Sequence, residues 1–236
     1  RPLAQQLVKE GATSPADLFF AQDSGYLGAL DQAGLFAPMA IGLEAQVAER
    51  FRPRDANWLP TSGRARVLVY SPERVDKGQL PTRLEDLPTS PFKGRFGWAP
   101  TNSSLHAHVS ALRSIWGEQK TEAWLVAMKT LKPLTVPKNS PQVRGVSAGE
   151  IDLGWVNHYY LHKLRAADPS LKAANHSFER GDAGNLMMLS GVALLKASES
   201  KTAATKLIAF LLSNRGQEHF ANKVFETTAK PKSMKA

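Results

Sequence analysis

Short apolar runs of strand type alternate along this chain with stretches whose apolar residues recur at helical spacing. Residues 16–20, 66–70, 95–98, 151–156 and 186–195 read as strands, the last as a strand pair or a strand with a bend. Residues 3–9 read as the end of a helix closed by Gly11, and 26–33 as a helix with Gly34 just past its end. A helix through Leu105, Val109, Leu112 and Trp116 is followed by helices at 121–131, 140–149 and 201–212, the last with Ala204, Leu207, Ile208 and Leu211 on one face. Residues 84–87 form a short helix before Pro88. Strands alternating with helices imply an α/β fold with largely parallel sheets, in which ligands sit beyond the carboxyl ends of strands at helix N-termini.

Length does not choose between one domain and two small lobes, and the 42% hydrophobic content is enough to bury a core. No apolar stretch approaches the roughly 20 residues that span a bilayer, and the chain opens without a signal-peptide pattern. The absence of cysteine excludes disulfides, thiolate metal sites and cysteine nucleophiles. A net charge of +9 suggests an anionic partner. The basic residues are spread out, however, with no helix-turn-helix or RNA-binding signature, so nucleic acid is not expected. Gly-x-Ser-x-Gly, P-loop, Gly-x-Gly-x-x-Gly and His-Glu-x-x-His patterns are all missing, and no enzyme activity is expected.

Half of the four tyrosines lie in one dipeptide, Tyr159-Tyr160. The apolar run 151–156 leads straight into Asn157, His158, Tyr159 and Tyr160, a buried strand emptying into a ligand-facing turn or helix start. Two phenol oxygens delivered to one point suit a hard trivalent cation such as Fe(III), which can deprotonate a group whose free pKa is about 10. Adjacent aromatics at a strand end are also ordinary half-buried packing residues. His158 and His162 have the spacing of a helical metal pair but no third soft ligand near in sequence. His106 and His108 diverge on their helix.

Seven segments carry a resemblance: Ser-Pro-Ala-Asp-Leu-Phe-Phe at 14–20, Ser-Gly-Arg-Ala-Arg-Val at 62–67, Gly-Trp-Ala-Pro-Thr at 97–101, Lys-Asn-Ser at 138–140, Gly-Glu-Ile-Asp at 149–152, Asn-His-Tyr-Tyr at 157–160 and Ser-Gly at 190–191. In this order they resemble the ferric-ion-binding proteins, the periplasmic substrate-binding components of iron(III) ABC transporters. The resemblance implies a type II periplasmic-binding-protein fold: two α/β lobes, a hinge of crossing strands near 66–70 and 186–194, and a ligand cleft between the lobes. It divides the chain into residues 1–66 plus 190–225 as a first lobe, 67–189 as a second lobe carrying the tyrosines, and 226–236 as a tail without an assigned place. Relatives of this kind begin with a strand and most of a helix ahead of Arg1, often including a histidine or tyrosine ligand, and continue past the C-terminal end. The chain is therefore expected to be a fragment, its signal peptide absent.

The resemblance maps Tyr159 and Tyr160 onto paired Fe3+ ligands. A carboxylate often added from the other lobe aligns with Gln22, which cannot supply charge, leaving Asp23 one step on as the only acid there. A carbonate or phosphate usually completes such a site at a helix N-terminus. Here Asn102, Ser103 and Ser104 open a helix where a strand ends, an anion cradle and an N-cap together. Asn139 and Asn157 map onto side chains that reach the same anion. Trp98 stands where some relatives have tyrosine, removing a possible extra phenolate. The implied protein is a periplasmic monomer that binds Fe3+ with a synergistic anion and docks on an inner-membrane permease without itself spanning the membrane. The alternative is a binding protein of the same fold for an organic or phosphorylated anion.

Overall fold

In the computed structural model, residues 2–54 and 57–230 are described. The chain forms two compact units, one from Arg1–Gly63 with Met188–Ala236 and the other from Arg64–Met187. The elements in chain order are α1 (Pro2–Glu10), β1 (Leu18–Ala21), α2 (Ser24–Gln32), β2 (Leu59–Tyr70), β3 (Phe96–Trp98), α3 (Ser103–Trp116), α4 (Glu118–Met128), β4 (Leu134–Thr135), α5 (Asn139–Ala148), β5 (Leu153–Asn157), α6 (Tyr159–Ala167), β6 (Ala174–His176), β7 (Met187–Leu194), α7 (Lys201–Leu212), α8 (Asn214–His219) and β8 (Thr227–Thr228). Strand β2 carries the chain from the first unit into the second, and β7 returns it.

In the first unit β1 pairs antiparallel with β7, from Leu18 opposite Leu194 to Ala21 opposite Gly191. Alternate side chains of these strands feed two cores, as the period of two requires. Phe19, Ala21, Ala193 and Leu195 pack with Leu7, Leu27 and Leu30 of α1 and α2. Val192 and Leu194 pack with Leu59 and with Ala204, Ile208 and Leu212 of α7. Leu207, expected on the inward face of α7, is exposed. The first residues of the expected tail form β8, with Ser62 opposite Thr228 and Gly63 opposite Thr227. The Ser62 hydroxyl donates to the buried Glu226 carboxylate at 2.5 Å.

In the second unit β2 runs antiparallel to β5, from Arg66 opposite Asn157 to Tyr70 opposite Leu153, and antiparallel to β6. Strand β3 is parallel to both β5 and β4. The expectation of largely parallel sheets therefore fails for the long strand. Parallel order follows from helical crossovers, as in the β3, α3–α4, β4, α5, β5 succession. Strand β2 arrives from the other unit without one. The sheet is covered on both faces, by Leu68, Tyr70, Leu153 and Trp155 with α3 and α4 on one side, and by Val67, Val69 and Val156 with α5 and α6 on the other. Burial on both faces explains why β2 extends back to Leu59 through Ser62 and Gly63, residues read from sequence as a boundary. The segment at 84–87 forms a 3-10 helix, Leu84–Thr89, which accommodates Pro88.

Candidate metal and anion site

Strand β5 is buried along its whole length and ends at Asn157. The turn that follows is tied to β2 twice: His158 N donates to Ala65 O at 2.9 Å, and Ala65 N donates to His158 Nδ1 at 3.0 Å. That double tie fixes where α6 begins and holds Tyr159 and Tyr160 in its first turn. Both are half-buried, and their rings stack at 4.3 Å between centroids and 28° between planes. Burial, together with a hydrogen bond to Tyr160 and repulsion from its charge, holds the Tyr159 phenol well above its ordinary pKa. Arg64 and a hydrogen bond from Asn157 pull the other way. A cation bound by the two phenol oxygens would have to displace their protons.

Near the tyrosines lies a cluster of hydrogen-bonded polar side chains. Asn102 is the N-cap of α3, its Oδ1 accepting from Ser104 N at 3.0 Å and from the Ser104 hydroxyl at 2.6 Å. Asn139, buried at the start of α5, donates through Nδ2 to Ser104 Oγ at 3.3 Å. Asn157 accepts from Arg66 through Oδ1 at 3.2 Å. The structure thus brings Asn102, Ser104, Asn139 and Asn157 together in one unit with the tyrosine pair. Ser103 is exposed on the first turn of α3. Gln22 and Asp23 belong to the other unit. Gln22 is exposed, and Asp23 caps α2 by accepting from Gly25 N at 2.8 Å.

The sequence reading missed Arg66, the centre of this cluster. Its side chain has no exposed surface and donates to Ser104 Oγ at 3.3 Å, Asn157 Oδ1 at 3.2 Å and Trp155 O at 2.9 Å, with its plane 4.8 Å from the Trp155 ring. Its Nε has no partner, and among the described residues no carboxylate pairs with it. Burial pushes the guanidinium down to about 9, opposed by Tyr160 and Tyr159. A buried cation that meets only neutral acceptors is costly to hold. The available signal was a charged residue within a run otherwise read as a buried strand.

The histidines take other roles. His158 and His162 lie 6.4 Å apart between ring centroids, with His158 engaged in the turn. His106 bonds to Pro100 O at 2.7 Å, whereas the buried His108 bonds to Ala183 O at 2.7 Å and lies against Trp155. Trp98 bonds through Nε1 to Thr135 Oγ1 at 3.1 Å. Among the described residues no group of three or more His, Asp or Glu side chains could hold a metal ion.

Two α/β units, with a tyrosine pair and a buried polar cluster in the second, are the arrangement of a solute-binding protein. Residues 13–235 match the family described as bacterial extracellular solute-binding protein, and the chain belongs to that family. It is 36% identical over 228 residues to the Fe(3+)-binding periplasmic protein of Serratia marcescens, covering 95% of this chain and 67% of the relative. It is 33% identical to the major ferric iron-binding protein of Neisseria meningitidis serogroup A, covering 91% of this chain and 66% of that one. The structure of iron-bound HitA from Pseudomonas aeruginosa superposes with a TM-score of 0.89 at 33% identity, covering all of this chain and 76% of the other. The fold is the type II periplasmic-binding fold. The chain spans about two thirds of the length of the curated relatives.

Proposed function

We propose that this protein binds Fe3+ in the periplasm and delivers it to an ABC transporter permease, and that it is a carrier rather than an enzyme. Tyr159 and Tyr160 bind the ion as phenolates, and carbonate or phosphate fills the cluster of Asn102, Ser104, Asn139 and Asn157 around Arg66. The observation that carries this reading is the stacked, half-buried phenol pair near a buried guanidinium that has no carboxylate partner among the described residues. The names of the two curated relatives, which bind ferric iron, and the iron-bound state of HitA support the choice of cargo.

The charges support the exogenous anion. Two phenolates offset two of the three charges of Fe3+, and Arg66 adds another positive charge nearby. Gln22 supplies none, and Asp23 already caps a helix. A cation left uncompensated away from water is costly, so an anion entering with the iron stabilises both charges. The anion lies where the free N–H groups of the first turn of α3 add to the side-chain donors.

Iron binding releases the phenol protons, so affinity falls as the medium acidifies. Ferric nitrilotriacetate titrated into protein stripped of carbonate and phosphate, then with either anion restored, tests the reading. The phenolate-to-iron band is expected to develop fully only with an anion and to fade toward acid. Loading that ignores both anion and pH contradicts the proposal.

A further inference from the structure

Strand β5 parts from β3 just before the site. The two pair at Phe96 with Leu153 and at Gly97 with Gly154, and then β3 continues with Trp98 opposite Thr135 of β4. At Trp155, side chains replace the departing strand. Trp155 N donates to Gln142 Oε1 at 2.9 Å, and Trp155 O accepts from Arg66 Nη2 at 2.9 Å. Gln142, fully buried on α5, is held between glycines. A Cβ on Gly154 would stand 3.0 Å from Gln142 Oε1 and 3.2 Å from its Cβ, and one on Gly97 would stand 3.6 Å from its Cγ.

We infer that Gln142 is a positioning residue that turns the Asn139 amide so that its N–H side faces Ser104 and the anion site proposed above. The wiring has one consistent direction. A backbone N–H can only donate, so Trp155 N fixes the Gln142 oxygen toward β5 and leaves its Nε2 facing Asn139. That Nε2 donates to Asn139 Oδ1 at 3.5 Å, which sends Asn139 Nδ2 toward Ser104. Arg66, also a pure donor, does the same for Asn157. It occupies Oδ1 at 3.2 Å and leaves the amide N–H groups on the side of Tyr159, to which Asn157 is hydrogen-bonded. Both amide oxygens are thereby occupied, and the amide N–H groups of Asn139 and Asn157 lie toward Ser104 and Tyr159.

Such a lining favours oxyanions rich in acceptors, such as carbonate, phosphate or a carboxylate. It disfavours neutral or hydroxyl-rich ligands, whose own donors would face N–H groups and lose their hydrogen bonds. The inference deepens the anion half of the proposed function and depends on that reading, while the metal half is tested apart from it.

The test is calorimetric titration of inorganic phosphate into the iron-free protein for the wild type, Gln142→Met, Asn139→Ala and the double variant. Each single change is expected to weaken phosphate binding about tenfold, and the double to be no weaker than Asn139→Ala, because Gln142 acts through Asn139. Additive losses, or full affinity in Gln142→Met, overturn the inference, as does a wild type that takes up no phosphate. If Gln142→Met does not fold, Gln142→Glu is measured with and without Asn139→Ala: an effect that works through Asn139 vanishes in the Asn139→Ala background, whereas repulsion by the new carboxylate persists there. Weaker binding confined to the protein that keeps Asn139 supports the inference, and no loss, or the same loss without Asn139, overturns it. The phenolate-to-iron band is read separately on the same proteins. Its absence in the wild type would sink the tyrosinate reading while the phosphate arm still judges Gln142.

Discussion

The two ends of β5 each place charge beside the strand, and they treat it in opposite ways. At the entry end the buried Asp152 carboxylate pairs with Arg74 Nε at 2.7 Å and with Arg95. Arg74 Nη2 also donates to Val146 O at 2.6 Å and Ile151 O at 3.2 Å, so the pair stitches α5, β5 and the end of β2 together. At the exit end Arg66 is more deeply buried and meets only a carbonyl, a hydroxyl and an amide oxygen. The first end is complete as it stands and serves the scaffold. The second offers Arg66 no carboxylate among the described residues, and the tyrosine pair is near enough to act on its charge. The comparison teaches that burial alone does not distinguish structural from ligand-facing charge; the identity of the partners does.

Breaking each end should give opposite signatures. Asp152→Asn leaves two arginines without their carboxylate and is expected to cost about 3 kcal/mol of stability in chemical denaturation while phosphate affinity changes little. Arg66→Met is expected to do the reverse. Anion-assisted iron affinity falls by about 2 kcal/mol, roughly 30-fold, while stability changes by less than about 1 kcal/mol. A large stability loss in Arg66→Met would erase the contrast.

His108 sharpens the comparison from a third side, because it lies against Trp155 with Arg66 close by. Burial, and then the Arg66 charge, push its pKa from 6.5 down to about 3. The unfolded chain therefore binds this proton at higher pH than the fold does. The stability contribution is complete above pH 6.5 and is lost as pH falls toward about 3, at about 1.4 kcal/mol per pH unit within that window. Denaturation followed across the window should show that slope reduced in His108→Gln. The smallest effect is expected for Asp23→Asn. Asparagine caps a helix as well as aspartate does, so stability should hold within about 0.5 kcal/mol. Iron affinity should also hold, and its loss would return a protein carboxylate to the ligand set.

Much of the local structure was legible because its signals are local. Asn102 before α3, Gly149 after α5 and the apolar run into Asn157 each mark a boundary through capping or burial that a few residues decide. The true extent of β2 was not, because Thr61, Ser62 and Gly63 resemble a turn until a neighbouring strand and Glu226 bury them. The sheet directions were misread for a similar reason: β2 takes its direction from the other unit. At the site, the tyrosines and asparagines stand out by type and by position at strand exits and helix starts. Arg66 and Gln142 do not, since their meaning depends on the register that sets Arg66 opposite Asn157 and on the gap where β3 leaves β5. Such relations exist only between elements far apart in sequence.

The central claim is that one ferric ion is held by both phenolates of the Tyr159–Tyr160 pair. Substituting both by Phe keeps the stacked rings and removes only the oxygens. Visible absorption recorded during ferric nitrilotriacetate addition, in the presence of carbonate, tests the claim most directly. The account predicts a phenolate-to-iron band in the wild type and none in Tyr159→Phe/Tyr160→Phe with the fold intact by circular dichroism. A band that survives in the double variant, or a wild type that stays colourless, contradicts it.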